Sequence, residues 1–189
     1  SLIARYSAVN TEKSHMFFAF FSVQTTKDYI TNATFNLNAD TVIHDYKINK
    51  GSQLTKPVNL DGYWSARSFA TLALPLKFIK SNLNMNAGIN YTRTPGLVDE
   101  TMNISNNYGF SLPIVISSNV SENLDFTLSY SPNYNIVKNS VQPALNSNYF
   151  SNSASMKFNW IFWKGLELNN SITLQKYSGL GAGYDKPYT

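Results

Sequence analysis

Several stretches of this chain keep apolar side chains on one parity and small polar ones on the other. In 82–92, Leu83, Met85, Ala87, Ile89 and Tyr91 alternate with Asn84, Asn86, Gly88, Asn90 and Thr92. In 123–132, Leu124, Phe126, Leu128 and Tyr130 alternate with Asp125, Thr127, Ser129 and Ser131. In 152–163, Ala154, Met156, Phe158, Trp160 and Phe162 alternate with Ser153, Ser155, Lys157, Asn159 and Ile161, the last breaking the rule. The stretch 166–177 continues the pattern. A side-chain period of two belongs to a strand with one apolar face. The polar parity is Ser, Asn, Thr and Gly rather than Lys and Glu. Strands of roughly 9–11 residues with this dyad are what a membrane-spanning β-barrel requires.

Composition narrows the alternatives. Charged residues make up 14% of the chain, where about 25% is usual. Few charges suit strands that meet lipid on one side. The mean hydropathy of −0.24 carries no objection, because barrel strands are half polar and averaging hides them. No run approaches the ~20 apolar residues of a transmembrane helix. The richest, Met16-Phe17-Phe18-Ala19-Phe20-Phe21, is short and reads as a strand. No capping box followed by a 3.6-residue period marks a helix. The absence of cysteine excludes disulfides, thiol catalysis and thiolate-held metals. The net charge of +4 is scattered, with Lys13, Lys77, Lys80 and Lys164 standing singly in expected turns. No basic block points to nucleic acid. The basic pI leaves attraction of anionic solutes or lipids open beside ordinary solvation of lysines.

Eight main strands are expected, near 2–9, 14–25, 60–75, 83–93, 108–118, 124–136, 149–162 and 166–177. The connections 10–13, 77–82, 119–123 and 163–165 are short. Those at 26–59, 94–107, 137–148 and 179–189 are longer and richer in Asn, Gly and Pro. Short turns at one end and long loops at the other are the topology of bacterial outer-membrane barrels. The first long connection is expected to hold its own hairpin, with strands near 29–36 and 42–48. Leu72, Leu74 and Leu76 would then meet lipid, and Thr71 and Ala73 would point inward. Tyr63, Trp64, Trp160, Phe162 and Trp163 fall near strand ends, where amphipathic rings form interfacial girdles. In a soluble β-sandwich the same rings would fill a core, but its outer faces would carry more charge.

Arg5, Arg67, Lys157, Glu167 and Gln175 occupy the polar parity and would face a lumen, where charges tune solute selectivity or grip a plug. Other candidates read more simply. His15 and His44 (the latter beside Asp45) are too few and too far apart for a metal site, which wants three or four convergent ligands. Asp99 and Glu100 are adjacent, so on a strand they face opposite ways and form no acid–base pair. Gly179, Gly181 and Gly183 lack the Lys-Ser/Thr and following helix of a phosphate loop. No catalytic constellation can be assembled, and no cofactor is called for.

Certain runs carry a family resemblance. Phe158-Asn159-Trp160-Ile161-Phe162-Trp163-Lys164-Gly165-Leu166, followed by Tyr177-Ser178-Gly179-Leu180 and Gly183-Tyr184, resembles the outer-membrane β-barrel family of Bacteroidota, proteins like TonB-dependent receptors. Lys56-Pro57-Val58-Asn59-Leu60-Asp61-Gly62 and Leu128-Ser129-Tyr130-Ser131-Pro132 look similar to the same barrels. The likeness extends over nearly the whole chain as a pattern, and its most specific part is the Asn-Trp-x-Phe-Trp-Lys-Gly run. It implies a location in the cell outer membrane and a segment from the C-terminal half of a large transporter. It further implies a plug domain and TonB as partners through parts of a longer chain, and in some relatives a surface lipoprotein over the loops. Asp40-Thr41-Val42 resembles the short O-glycan acceptor pattern of the same bacteria, at a length that arises often by chance.

The expectation is therefore an all-β, antiparallel, up-and-down transmembrane barrel. Residues 1–189 would form a single barrel segment, a fragment lacking plug and final strands, because no signal peptide opens it and Asp185–Thr189 resembles a loop about to enter another strand. The ligand is not legible. One rival is a complete eight-strand barrel acting as an anchor or surface-interaction protein, whose lumen would need bulky filling. The other is a soluble binding module.

Overall fold

A computed structural model describes residues 1–43, 46–118, 121, 123–163 and 165–179. The alternating stretches become strands of one large, almost wholly antiparallel sheet. In chain order the strands are β1 (Leu2–Asn10), β2 (His15–Thr26), β3 (Tyr29–Asn36), β4 (Thr41–Ile43), β5 (Tyr46–Ile48), β6 (Gln53–Leu60), β7 (Tyr63–Leu76), β8 (Ser81–Val98), β9 (Thr101–Ser111), β10 (Ile114–Ser118), β11 (Leu124–Asn139), β12 (Ser147–Phe162) and β13 (Leu166–Ser178), all but β4 and β5 in the large sheet. The fold is all-β, as the alternation predicts. Among the described residues, β1 pairs with β2 alone and β13 with β12 alone, so both lateral edges of the sheet are open.

β9 and β10 are two parts of one strand. Pro113 has no N–H to give, so the ladder breaks there, yet the register runs straight through. Ser111 stands opposite Gly88 and Ile114 opposite Met85 on one side, and opposite Asn133 and Tyr130 on the other. The Asn86 N–H donates to the Pro113 carbonyl at 2.9 Å, and the Leu112 N–H to the Pro132 carbonyl at 3.1 Å. Counted this way, the sheet is a meander of the eight expected strands: β1, β2, β7, β8, β9–β10, β11, β12 and β13.

The connections correct the sequence reading in two places. The 94–107 segment, expected as a long loop, is hairpin. β8 and β9 continue past their apolar alternation and turn at Asp99 and Glu100, whose φ values of 47° and 66° are those of a tight two-residue turn matched to strand twist. Polar strand beyond the apolar zone carries no dyad, so its strands are not visible in sequence. In the first long connection, β3 pairs with β6 rather than with 42–48. β6 supplies Leu54, Val58 and Leu60 opposite Phe35, Thr31 and Tyr29. β4 and β5 are too short to cover β3 and instead make their own small hairpin.

Among the described residues there is no conventional core. Ala33 is the buried apolar residue and Pro95 the large side chain fully enclosed, both where β3 meets the tip of β8. The accessible surface is 13102 Å², well above the ~9,000 Å² expected of a compact monomer of this mass.

Candidate functional site

Directly opposed residues of antiparallel strands share a face, so the registers sort every strand position onto one of two surfaces. One row crosses the whole sheet as Ala8, Phe17, Leu72, Met85, Ile114, Tyr130, Ala154 and Leu174. Every member is apolar. Another row reads Arg5, Phe20, Phe69, Gly88, Ser111, Asn133, Ser151 and Tyr177. These rows belong to opposite faces. On the apolar face large side chains stand in the open: Ile89 is 56% exposed, Ile172 57% and Leu174 49%. A soluble monomer rarely leaves a continuous apolar surface of this kind bare.

The apolar zone is a band, and it is oblique to the strands. On β2 it comprises Phe17, Ala19, Phe21 and Val23, bounded by His15 and Thr25. On β12 it comprises Ala154, Met156, Phe158, Trp160 and Phe162, bounded above by Asn152. Phe17 and Ala154 share a row, so the upper margin drops six residues between these strands. The short-turn end drops equally: Asn10 of β1 lies two residues below that row, whereas Leu166 of β13 lies eight below it. Six residues of ~3.3 Å give a slope of about 40° over the five spacings from β2 to β12 and about 30° over the seven from β1 to β13, near the ~35–45° strand tilt of barrels. No Asp, Glu, Lys or Arg occupies the apolar parity within the band. Arg93 and Lys138 lie beyond its upper margin, and Lys176 lies above it on β13.

Aromatic rings mark both margins. Above, Trp64, Tyr91 and Tyr108 form a chain with ring centroids 4.5 and 4.7 Å apart, and the Tyr91 hydroxyl donates to Asn106 Oδ1. Below, Trp160 and Phe162 lie 4.8 Å apart, and Trp163 stands 76% exposed in the following turn. Tyr63 departs from the expected girdle. Alternation puts it on the opposite face from Trp64, where it stacks on Tyr29 at 4.1 Å.

Arg5, Arg67, Lys157, Glu167 and Gln175 all fall on the polar face. They do not converge. The Arg5 guanidinium sits 5.8 Å over the Phe20 ring. Glu167 accepts from the Asn169 side chain at 2.9 Å, and Gln175 donates to the Tyr177 hydroxyl. Lys157 lies beside Asp125, Asn159 and Asn169 in a depression near the short-turn end. Sequence reasoning missed an apolar island on this face, where Phe69 meets Phe18 at 5.8 Å and Phe20 at 5.1 Å. The signal was available: the unbroken Phe run in β2 cannot send all its rings to one side.

The long-connection end is built. The Asp99 carboxylate accepts from the Asn36 main-chain N–H at 2.7 Å and from its side-chain amide at 2.8 Å, while the Asp99 N–H donates to the Thr34 carbonyl at 2.9 Å. This clamp joins the β3–β6 hairpin to the β8–β9 tip, and its donors hold the Asp99 carboxyl below the ordinary value of 3.8. Arg93 donates to the Gly62 carbonyl at 2.6 Å, and Val141 donates to the Asn103 side chain at 3.0 Å. Asp40 is paired with Lys47 at 3.0 Å and takes the Lys50 N–H, and the Thr41 hydroxyl donates to the Ala39 carbonyl. His15 opens β2 opposite Asn10. His44, Asp45, Lys164, Gly181 and Gly183 lie outside the described residues.

Comparison of the chain with protein-family models, with curated proteins and with solved structures gave no match.

Proposed function

We propose that the chain forms part of the wall of an outer-membrane β-barrel of the TonB-dependent receptor type. In this reading the apolar face meets lipid, the polar face lines the solute path, and the β3–β6 and β8–β9 hairpins stand outside to engage a ligand. Capture by the long loops and passage once a plug is displaced are binding and gating steps, without covalent catalysis. The observation that carries the membrane part is the uncharged, oblique apolar band. A soluble sandwich has no reason to slant its apolar zone against its strands, whereas a tilted barrel wall crossing a flat bilayer must. TonB, a plug domain and a surface lipoprotein enter through the resemblance of the Asn-Trp-x-Phe-Trp-Lys-Gly run alone.

The alternative, a complete eight-strand barrel serving as anchor or surface-interaction protein, takes its support from the count of eight meandering strands. Such a barrel fills its interior with side chains, and the polar face here is dominated by Ser, Asn, Thr and Gly.

The native absence of cysteine makes the test clean. Met85→Cys and Asn84→Cys, on opposite faces, would be reacted with a charged maleimide after reconstitution into liposomes. The wall reading expects Met85→Cys to be protected by lipid and Asn84→Cys to react through a watered interior. Reaction at both removes the membrane. Protection at both, each lost on denaturation, favours the small filled barrel.

A further inference from the structure

We propose that the hollow beside Arg67 binds a small carboxylate that carries a flat apolar face, an inference that rests on the polar face being the solute side of a barrel wall. The hollow encloses about 460 Å³ and is lined chiefly by Ile3, Phe20, Ser22, Tyr63, Arg67 and Asn90. That volume lies within the ~300–1,000 Å³ range of small-ligand sites.

Arg67 is the single charged side chain in its wall, and among the described residues the one ion pair is Lys47 with Asp40, in the β4–β5 hairpin. The strand neighbours directly opposite Arg67 are Ser22 and Asn90, a hydroxyl and an amide that leave the guanidinium's charge uncompensated. A guanidinium presents a planar fork that matches the two oxygens of a carboxylate. Ser22 and Asn90 add hydrogen-bonding groups on either side of that fork.

The apolar walls are held in place before any ligand arrives. Tyr63 stacks on Tyr29 with an interplanar angle of 11°. Phe20 stacks on Phe69 at 28°, and the Arg5 guanidinium lies 5.8 Å from the Phe20 ring centroid. Rings already fixed lose little freedom on binding, which favours a flat ligand. Arg5 adds a second positive charge nearby, while the acidic residues of this face, Asp125 and Glu167, lie on β11 and β13 at its other side. Inorganic phosphate would meet the charge and leave the rings unused.

The test uses the full chain in detergent micelles and equilibrium dialysis of radiolabelled benzoate, with unlabelled benzamide and inorganic phosphate as competitors. Expected are saturable benzoate uptake, weak competition by either competitor, and a loss of about tenfold or more in Arg67→Gln, as for removal of a charge-assisted pair. Arg67→Lys should retain part of the affinity. Non-saturable uptake, equal competition by benzamide, or wild-type affinity in Arg67→Gln overturns the site. If Arg67→Gln does not fold, Asn90→Ala and Ser22→Ala decide the matter: each should weaken benzoate severalfold, and wild-type affinity in both overturns it. The liposome test at Met85→Cys keeps the two readings apart. Protection there without saturable benzoate binding removes the site and leaves the wall, and reaction there with benzoate bound removes the wall.

Discussion

The two faces of this sheet share one backbone and one hydrogen-bond ladder, yet carry opposite kinds of side chain. Met85 and Asn84 are neighbours in β8. Met85 belongs to a row whose eight members are all apolar, and Asn84 lies opposite Ala73 on one side and Val115 on the other. The apolar face tolerates Ala, Leu, Phe or Tyr at a given position but no charge inside the band. The polar face tolerates arginine, lysine, glutamate and a phenylalanine island. In the proposed wall, one surface would be constrained by the absence of water, and the other only by what is to pass or dock there.

The largest effect expected from this comparison is on Met85→Arg against Asn84→Arg. Near the middle of the band an arginine should cost about 2–4 kcal/mol, while one residue away it should cost less than about 1 kcal/mol. Urea unfolding of both variants in liposomes checks this, and equal losses would erase the distinction between the faces.

A sharper test follows from the slant. On β12, Phe158 is central in the band and Ala154 marks its upper margin. Phe158→Arg should therefore cost about 2–4 kcal/mol, and Ala154→Arg about 0–1 kcal/mol. On β10, in the row of Ala154, Ile114 is central, so Ile114→Arg should be as damaging as Phe158→Arg. Equal costs at Ala154 and Ile114 would mean a level band and no tilt.

The smallest effect concerns the outer end. Asp99→Ala should leave global unfolding almost unchanged and speed amide exchange at Asn36 and Asp99. Acid should do the same reversibly. The Asp99 carboxyl is lowered by the Asn36 donors, so the clamp is fully present above the ordinary value of 3.8 and is lost as pH falls through the lowered one. Exchange at Asn36 that ignores pH across that window would show that the carboxylate does not hold the hairpin.

Within the band the fold was readable because an apolar and a polar face impose opposite demands on alternate residues. The eight strands and the common face of Arg5, Arg67, Lys157, Glu167 and Gln175 all follow from parity. Outside the band both faces are polar, and parity carries no information. That is why Thr94–Asn107 looked like loop and why the partner of β3 was assigned to 42–48. The clamp between Asn36 and Asp99 joins positions 63 residues apart and left no local trace. Tyr63 was misplaced for a simpler reason: its neighbour Trp64 fits a girdle, and both cannot.

The meander has a consequence for how the sheet is assembled. Within the eight-strand meander all strands but one pair with the strand just before them in sequence, so the sheet can grow a hairpin at a time, each new edge templating the next. The exception is β7, which must find β2 across the intervening 27–62 segment. Closing that longer loop costs extra chain entropy before any ladder bond repays it. The docking of β7 on β2 is therefore expected to be the slow step of sheet assembly, and prior folding of β3 against β6 would shorten the loop that must close.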